Sequence, residues 1–268
     1  LWARSPEDAA ARFVELARDR RVSVTLHDVP QPSDGHAFTR RVEAYRRVLD
    51  VAALVIVNSG HELSLLHEVE LDATGVVVVP LPASEPLRRG RADALDPAAA
   101  VLGYVYPGKG HRETIDAVAA SGTGLSVRAL GAPSPGHDAD ADALVAAGRA
   151  LGIEVSVSGF LSDDDLAQAA FTVAVPVVAH QHFSASGSVN SWVSAGRRPL
   201  VLRTRYTEEM DALRPGTLTL VHADDLAAAI ARAHADPDST FLDPVTSTRP
   251  HPDDTARAYV EAWREAAG

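Results

Sequence analysis

Short apolar runs alternate with segments of helical spacing along most of the chain. The apolar runs cover residues 22–26, 53–57, 76–79, 100–104, 125–130, 155–157, 171–178, 200–202 and 217–221. Several of them, such as 53–57, 76–79 and 200–202, are apolar throughout rather than at every second position, which is typical of parallel strands buried on both faces. Strands that alternate with helices in this way predict an α/β fold.

The helical spacing is lost in one long internal segment. Residues 83–98 show neither the spacing of apolar residues typical of a helix nor that typical of a strand, and we predict that they contain an interdomain linker. The predicted organisation is therefore a first domain at 1–85, a linker at 86–98, a second domain at 99–250 and a terminal helix at 251–268. Within these domains, loops are expected at 29–35 and 131–140, where glycine, proline and aspartate cluster.

A segment of small residues, Ser184–Ser188, follows the apolar run 171–178 and the polar tripeptide His180–His182. It leads into a predicted helix. The first turn of a helix presents free backbone N–H groups and the positive end of the helix dipole, which together favour anions. We therefore predict a diphosphate-binding site formed by Ser186, Gly187 and Ser188, and the alternative is an ordinary helix cap.

Composition excludes several classes of protein. The net charge of −11 in 268 residues argues against a broad nucleic-acid-binding surface, and no nucleic-acid partner is expected. No apolar run approaches the ~20 residues of a membrane span, although contact with a membrane surface stays open. The absence of cysteine excludes disulfides and thiol chemistry and is compatible with the cytoplasm, where we expect the protein.

The N-terminal region gives two further expectations. It carries acids and arginines early and has no long apolar core, so we do not expect a signal peptide. The chain begins with Leu1 instead of methionine, and we expect that residues precede it.

Six sequence pieces, in this order and spacing, resemble the family 4 retaining glycosyltransferases of the GT-B fold. They are LHDVP at Leu26–Pro30, VIVNS at Val55–Ser59, VVVVPLP at Val76–Pro82, LGYVYPGKG at Leu102–Gly110, LGIEVSVSGFLSDDDL at Leu151–Leu166 and SGSVNSWVSAGRRPLV at Ser186–Val201.

The resemblance implies two Rossmann-like domains with a cleft between them. The C-terminal domain would bind a sugar nucleotide, UDP- or GDP-linked, and the N-terminal domain would bind the acceptor, which stays unidentified. The family's glycine-rich first strand has no counterpart before Val22, so the first domain is expected to be incomplete and to expose an apolar sheet surface or edge. No cofactor other than this co-substrate and no metal site are expected.

The family's cationic pair is only half present. Lys109 occupies the lysine position, between two glycines, but Tyr104 stands where the family has arginine. The resemblance makes Lys109 a catalytic and donor-binding residue, whereas an exposed turn lysine is the alternative. The missing positive charge could weaken donor binding or be supplied by Arg197 or Arg198.

The family's two glutamates are also missing. Depending on the alignment, their positions fall on Phe183 and Ser191 or on Ser184 and Trp192. The polar tripeptide could contact sugar hydroxyls instead, and we include His182 among the catalytic candidates. Surface histidines are the alternative.

Weaker correspondences complete the predicted site. The segment Gly159, Phe160 and Leu161 resembles the loop that contacts the nucleotide base, although Phe160 could equally be a core residue. Glu209 matches an acid near the donor. His27 matches a histidine that projects toward the transferred sugar, which makes it a catalytic candidate, and a structural histidine is the alternative.

The resulting hypothesis is a glycosyltransferase that uses a nucleotide sugar, with retention of configuration expected from the resemblance alone. Two alternatives stay open: a non-catalytic module that binds sugar nucleotides or glycans, and a sugar-nucleotide epimerase of the same fold.

Overall fold

The chain folds into two α/β units. The computed structural model describes residues 3–182 and 184–268. One unit comprises the chain up to Pro82 together with Pro252–Gly268, and the other comprises Ala83–His251. The terminal helix, which the sequence analysis set apart, thus belongs to the first unit, and the segment predicted as a linker belongs to the second.

The elements follow the predicted alternation. The strands are β1 (Ser23–Leu26), β2 (Leu54–Val57), β3 (Val77–Val78), β4 (Asp96–Leu102), β5 (Ser126–Leu130), β6 (Val155–Val157), β7 (Val173–Val178), β8 (Leu200–Leu202) and β9 (Thr219–Val221). The helices are α1 (Pro6–Ala17), α2 (Phe38–Leu49), α3 (Gly60–Glu68), α4 (His111–Ser121), α5 (Asp138–Ala150), α6 (Asp163–Thr172), α7 (Gly187–Ser194), α8 (Arg205–Leu213), α9 (Leu226–Ala235) and α10 (Pro252–Ala267). No helix of the described residues is both long enough and apolar enough to cross a membrane.

The first unit is built on a three-stranded parallel sheet in the order β1-β2-β3. β2 is buried along its whole length because helices cover it, and Ala262 of α10 packs with Leu54 and Ile56. On another part of the unit, α1 packs on α2 through Phe13 and Val48. β1 is an edge strand of this sheet.

The second unit contains a six-stranded parallel sheet in the order β6-β5-β4-β7-β8-β9. The chain starts in the middle with β4, adds β5 and β6 on one side, and then crosses over to add β7, β8 and β9 on the other. Neighbouring strands β4 and β7 therefore carry connections that leave in opposite directions. In open α/β sheets, ligands bind at this switch point, outside the carboxyl ends of the strands.

Apolar layers cover both faces of this sheet. Trp192 and Tyr206, on α7 and α8, are fully buried in one layer, and Ile115 and Ile230, on α4 and α9, are fully buried in the other. Parallel strands apolar on both faces require this double cover, so the sequence pattern and the packing agree.

Most boundaries differ from the sequence-based expectations by one or two residues, and three features differ more. β4 begins at Asp96, inside the predicted linker. The sequence analysis missed this start because the first half of the strand is rich in alanine and lacks the large apolar residues that mark the other strands. The predicted loop at 29–35 contains a short 3-10 helix, Pro32–Ala37, in which the Asp34 carboxylate accepts a hydrogen bond from the backbone N–H of Gln31. α5 begins three residues before the expected Ala141.

Arg197 has a structural role. Its guanidinium is fully buried and donates hydrogen bonds to backbone carbonyls at the end of α6, at the start of β7 and at Thr240, as well as to the Thr240 hydroxyl. β7 is six residues long, so these carbonyls lie ~20 Å from the strand's carboxyl end. Arg197 therefore does not supply the missing charge of the predicted diphosphate site, and the suggestion was wrong for this residue.

We expect Arg197→Leu to lower the free energy of unfolding by about 3 kcal/mol or more, because several buried carbonyls lose their donors. Arg198→Leu is the matched control. Its Nε makes one hydrogen bond, 3.2 Å to the Leu218 carbonyl oxygen, and its loss should cost about 1 kcal/mol. Urea denaturation of the two variants checks this, and equal losses would contradict the role assigned to Arg197.

Candidate functional site

The loop between β4 and α4 lies against the end of β7. Gly110 has a φ of +94°, and a Cβ at this position would lie 2.4 Å from the carbonyl carbon of Ala179. Only glycine allows this approach of two backbones. The Gln181 backbone N–H also donates to the Gly108 carbonyl oxygen over 3.1 Å. The loop after β4 is therefore fixed at the switch point of the sheet.

Lys109, the only lysine of the sequence, is carried by this loop. Its side chain is 7% exposed, and its Nζ donates to Ser188 Oγ over 3.2 Å. Among the described residues it makes no ion pair with a carboxylate. Burial lowers the pKa of Lys109 from 10.5 to about 8, because water no longer stabilises the charged ammonium. Near neutral pH the loop thus holds a buried positive charge without a counter-ion.

The start of α7 faces this ammonium. Ser186 is the N-cap, and its Oγ accepts a hydrogen bond from the Val189 backbone N–H. The Ser186 and Ser188 hydroxyls lie 3.1 Å apart, and the Ser186 backbone N–H donates to the Tyr206 hydroxyl over 2.9 Å. Gly187 is exposed, and a Cβ there would meet no atom within 4 Å. The helix start is thus held firmly, with open space beside its first residue.

Two buried histidines complete the arrangement. His180, after β7, is 6% exposed, and its Nε2 lies 3.4 Å from Ser188 Oγ. His111, the first residue of α4, is 3% exposed, and neither ring nitrogen has a hydrogen-bond partner among the described residues. Burial, and then the charge of Lys109, lower the pKa of His111 to about 4. The same causes, with His111 as a third, lower the pKa of His180 to about 2.

We call Lys109, His111, His180, Ser186 and Ser188 the Lys109 cluster. It combines one ammonium group, two hydroxyls and the starts of two helices, at the point where the sheet topology favours ligand binding. Its charge at neutral pH is positive, and no carboxylate in the described part of the chain forms an ion pair with Lys109. This chemistry suits an anion such as a diphosphate.

The cluster gathers only some of the predicted donor-site residues. It brings Lys109 together with the start of α7, as expected. His182 is exposed, while His180 occupies the buried position near the lysine. Of the positions matched to the family's glutamates, Phe183 lies outside the described residues. Ser184 and Trp192 are buried, and Ser191 is partly buried.

The other predicted donor-site residues lie on separate elements of the second unit. Tyr104 follows β4 and is 57% exposed. Gly159, Phe160 and Leu161 follow β6, two strands away from β4 in the sheet. Phe160 is 85% exposed and is therefore not a core residue. Glu209 is partly buried on α8.

His27 belongs to the first unit, where it is exposed at the carboxyl end of β1. It borders a cavity of about 280 Å³ that is also lined by residues of α1 and α2. Arg41 on α2 lines this cavity and pairs with Asp28 and Asp34, 2.7 Å from each carboxylate.

Two members of the arrangement escaped the sequence analysis. His111 directly follows the Gly-Lys-Gly tripeptide, but its burial could not be inferred from a residue at a helix start. Tyr206, which holds the Ser186 backbone, lies 20 residues away along the chain, and no local signal connects the two. In residues 3–182 and 184–268, no group of three or more His, Cys, Asp or Glu side chains is arranged to hold a metal ion.

Several solved structures of glycosyltransferases have the same fold. HepE from Anabaena, in complex with UDP and glucose, matches 96% of this chain over 72% of its own, with a TM-score of 0.69 and 17% identity. The lipopolysaccharide outer core galactosyltransferase WaaB matches 97% of this chain over 80% of its own, with a TM-score of 0.66 and 15% identity. Sucrose-phosphate synthase from Thermosynechococcus elongatus matches 97% of this chain over 69% of its own, with a TM-score of 0.70 and 18% identity.

The fold is therefore the GT-B fold of these glycosyltransferases. No protein-family model matches the sequence. No curated protein matches it either.

Replacing Lys109 should stabilise the free protein near neutral pH. Because the pKa of Lys109 is lowered in the folded state, its contribution to stability is present above about pH 10.5 and is lost as the pH falls through about 8. Lys109→Met should therefore raise the free energy of unfolding by about 2 kcal/mol at pH 6.5, and by less at pH 9.5. Urea denaturation of both proteins measures the difference.

A direct measurement is available because the sequence has one lysine. Selective ¹³C-lysine labelling yields a single side-chain signal, which should titrate near pH 8. Titration near 10.5, together with a destabilised Lys109→Met variant, would contradict the buried, unpaired state of this ammonium.

Proposed function

We propose that the protein is a glycosyltransferase that takes a sugar from a nucleotide-sugar donor, and that the Lys109 cluster binds the donor's diphosphate. The observation that carries this proposal is the buried, unpaired Lys109 ammonium, 3.2 Å from Ser188 at the start of α7. The GT-B fold supports it, as do the complexes of HepE with UDP and with UDP-glucose.

The cluster suits the departure of a nucleoside diphosphate. As the bond between the sugar and the diphosphate breaks, negative charge grows on the leaving oxygen. A preorganised cation and N–H donors stabilise that charge without transferring a proton. Lys109 supplies the cation, the starts of α4 and α7 supply N–H groups, and the Ser186 and Ser188 hydroxyls supply further donors.

The donor is UDP- or GDP-linked in this proposal, and no cofactor takes part beyond it. The exposed Phe160 is suited to stack on the base, since aromatic rings offer a flat apolar face. Retention of configuration is proposed from the family resemblance alone, and the acceptor is unidentified. A cytoplasmic location fits the absence of cysteine.

One observation favours a non-catalytic sugar-nucleotide-binding module as the second candidate. Neither pair of positions matched to the family's glutamates carries a carboxylate. A protein with the same diphosphate site and without those acids could bind a donor and not transfer it. A sugar-nucleotide epimerase is the remaining alternative.

Binding is tested first. UDP-glucose and GDP-mannose are the probes. The single ¹³C-lysine signal should shift when a nucleotide sugar that binds is added. Lys109→Gln should weaken binding roughly 10- to 100-fold, because a charged, buried hydrogen-bond donor is lost. Arg112→Gln is the control, since Arg112 is a nearby exposed cation paired with Asp116, and its binding should not change.

Turnover then separates the candidates. Release of nucleoside diphosphate from a bound donor, with its sugar moved to water or to an acceptor, supports the transferase. Tight binding with intact donor supports the module, and a donor with an altered sugar supports the epimerase. A lysine signal unmoved by every nucleotide sugar would refute the diphosphate site itself.

Gly187→Ala should separate binding from folding. The added methyl group meets no protein atom within 4 Å, and alanine favours a helix by about 1 kcal/mol over glycine, so stability should be unchanged or slightly higher. The methyl group would occupy space beside the helix start where a diphosphate binds, so affinity should fall roughly tenfold. Calorimetric titration and thermal unfolding measure the two effects. Unchanged affinity would place the diphosphate elsewhere.

A further inference from the structure

The proposed diphosphate site has too little positive charge. The diphosphate of a nucleotide sugar carries two negative charges near neutral pH, whereas Lys109 is the only cation in the Lys109 cluster. The arginine of the resembling family is replaced by Tyr104, and Arg197 is committed to carbonyls at the opposite end of β7. A buried ligand charge without a partner is costly, so a second source of positive charge is needed.

The two histidines are placed to provide it. His180 Nε2 lies 3.4 Å from Ser188 Oγ, and the same hydroxyl accepts from Lys109 over 3.2 Å. His111 lies at the start of α4, directly after the loop that carries Lys109. Its two ring nitrogens are buried and have no partner among the described residues. A buried imidazole without a partner is rare in a folded protein, and a bound ligand that hydrogen-bonds it is the simplest explanation.

We propose that the histidine pair His111–His180 takes up a proton when the diphosphate binds and thereby becomes the second cation of the site. This rests on the proposed function. In the free protein the pair is neutral, because burial and the nearby ammonium both disfavour a further positive charge. The bound anion reverses that balance, and the proton comes from solvent.

Among the described residues, no carboxylate is a cause of the pKa shift of either imidazole. Burial and Lys109 lower the pKa of both, and His111 further lowers that of His180. The elements packed beside α4 and β7 contribute apolar side chains, including Ala229 and Ile230 of α9. Glu113, farther along α4, is hydrogen-bonded by the exposed Gln181. From α8, Tyr206 holds the backbone of Ser186.

Proton uptake can be measured directly. Calorimetric titration with UDP-glucose or GDP-mannose, at about pH 6.5 in buffers of different ionisation enthalpy, gives the number of protons bound with the ligand. The diphosphate of a nucleotide sugar does not titrate at this pH, and Lys109, with a pKa of about 8, is already protonated. Uptake approaching one proton therefore reports the histidines.

Variants assign the uptake. His111→Gln and His180→Gln should each lower the proton uptake and weaken binding roughly fivefold at about pH 6.5, and the difference from wild type should vanish near pH 8.5. His111→Asn provides a second polar replacement if His111→Gln folds poorly. His67→Gln, at an exposed histidine of the first unit, is the control and should behave as wild type.

Each outcome decides. Binding of a nucleotide sugar with heats independent of the buffer would overturn the proton uptake and leave the diphosphate site intact. Uptake that persists in both histidine variants would overturn it as well. If the histidines had a purely structural role, their replacement would weaken binding equally at every pH and leave the proton uptake unchanged, which would also overturn the proposal. No binding by any nucleotide sugar would refute the proposed function and this inference together.

Discussion

The close approach of Gly110 to the backbone of Ala179 determines the character of the second unit. It joins the loop after β4 to the end of β7 without an intervening side chain, so the one lysine of the sequence points into protein rather than solvent. Burying an ammonium without a counter-ion destabilises the folded state. This cost falls at the switch point of the sheet, where ligands bind in open α/β sheets and where unfavourable local features concentrate in enzymes.

Arg197, at the opposite end of β7, shows how a buried cation with a structural role is stabilised. Arg197 is as deeply buried as any of the described residues, yet its donors are matched by backbone carbonyls and a threonine hydroxyl. Lys109 has one hydroxyl partner and an aromatic ring, that of Tyr106, 5.8 Å away. The two cations lie against opposite ends of β7, and the number of hydrogen-bond acceptors around each distinguishes them more clearly than burial alone.

Much of the fold could be predicted because its signal is local. Apolar strands such as 200–202 and the helix start at Ser186 were placed correctly from neighbouring residues alone. The start of β4 was missed because alanines carry a weak strand signal. The burial of His111 and the hydrogen bond between Tyr206 and Ser186 depend on residues distant in sequence, so no local pattern contains them. The contact of the loop at residues 159–161 with a nucleotide base and the role of His27 stay predictions.

The first unit is assembled from both ends of the described chain, whereas the second is one continuous segment. During synthesis, the second unit has all of its strands once the ribosome has passed His251. The apolar surface of Leu54 and Ile56, by contrast, stays uncovered until Ala262 and the rest of α10 emerge. The six-stranded sheet can therefore be complete while Leu54 and Ile56 of the first unit still lack their cover, and the first unit is completed only after α10 has been synthesised.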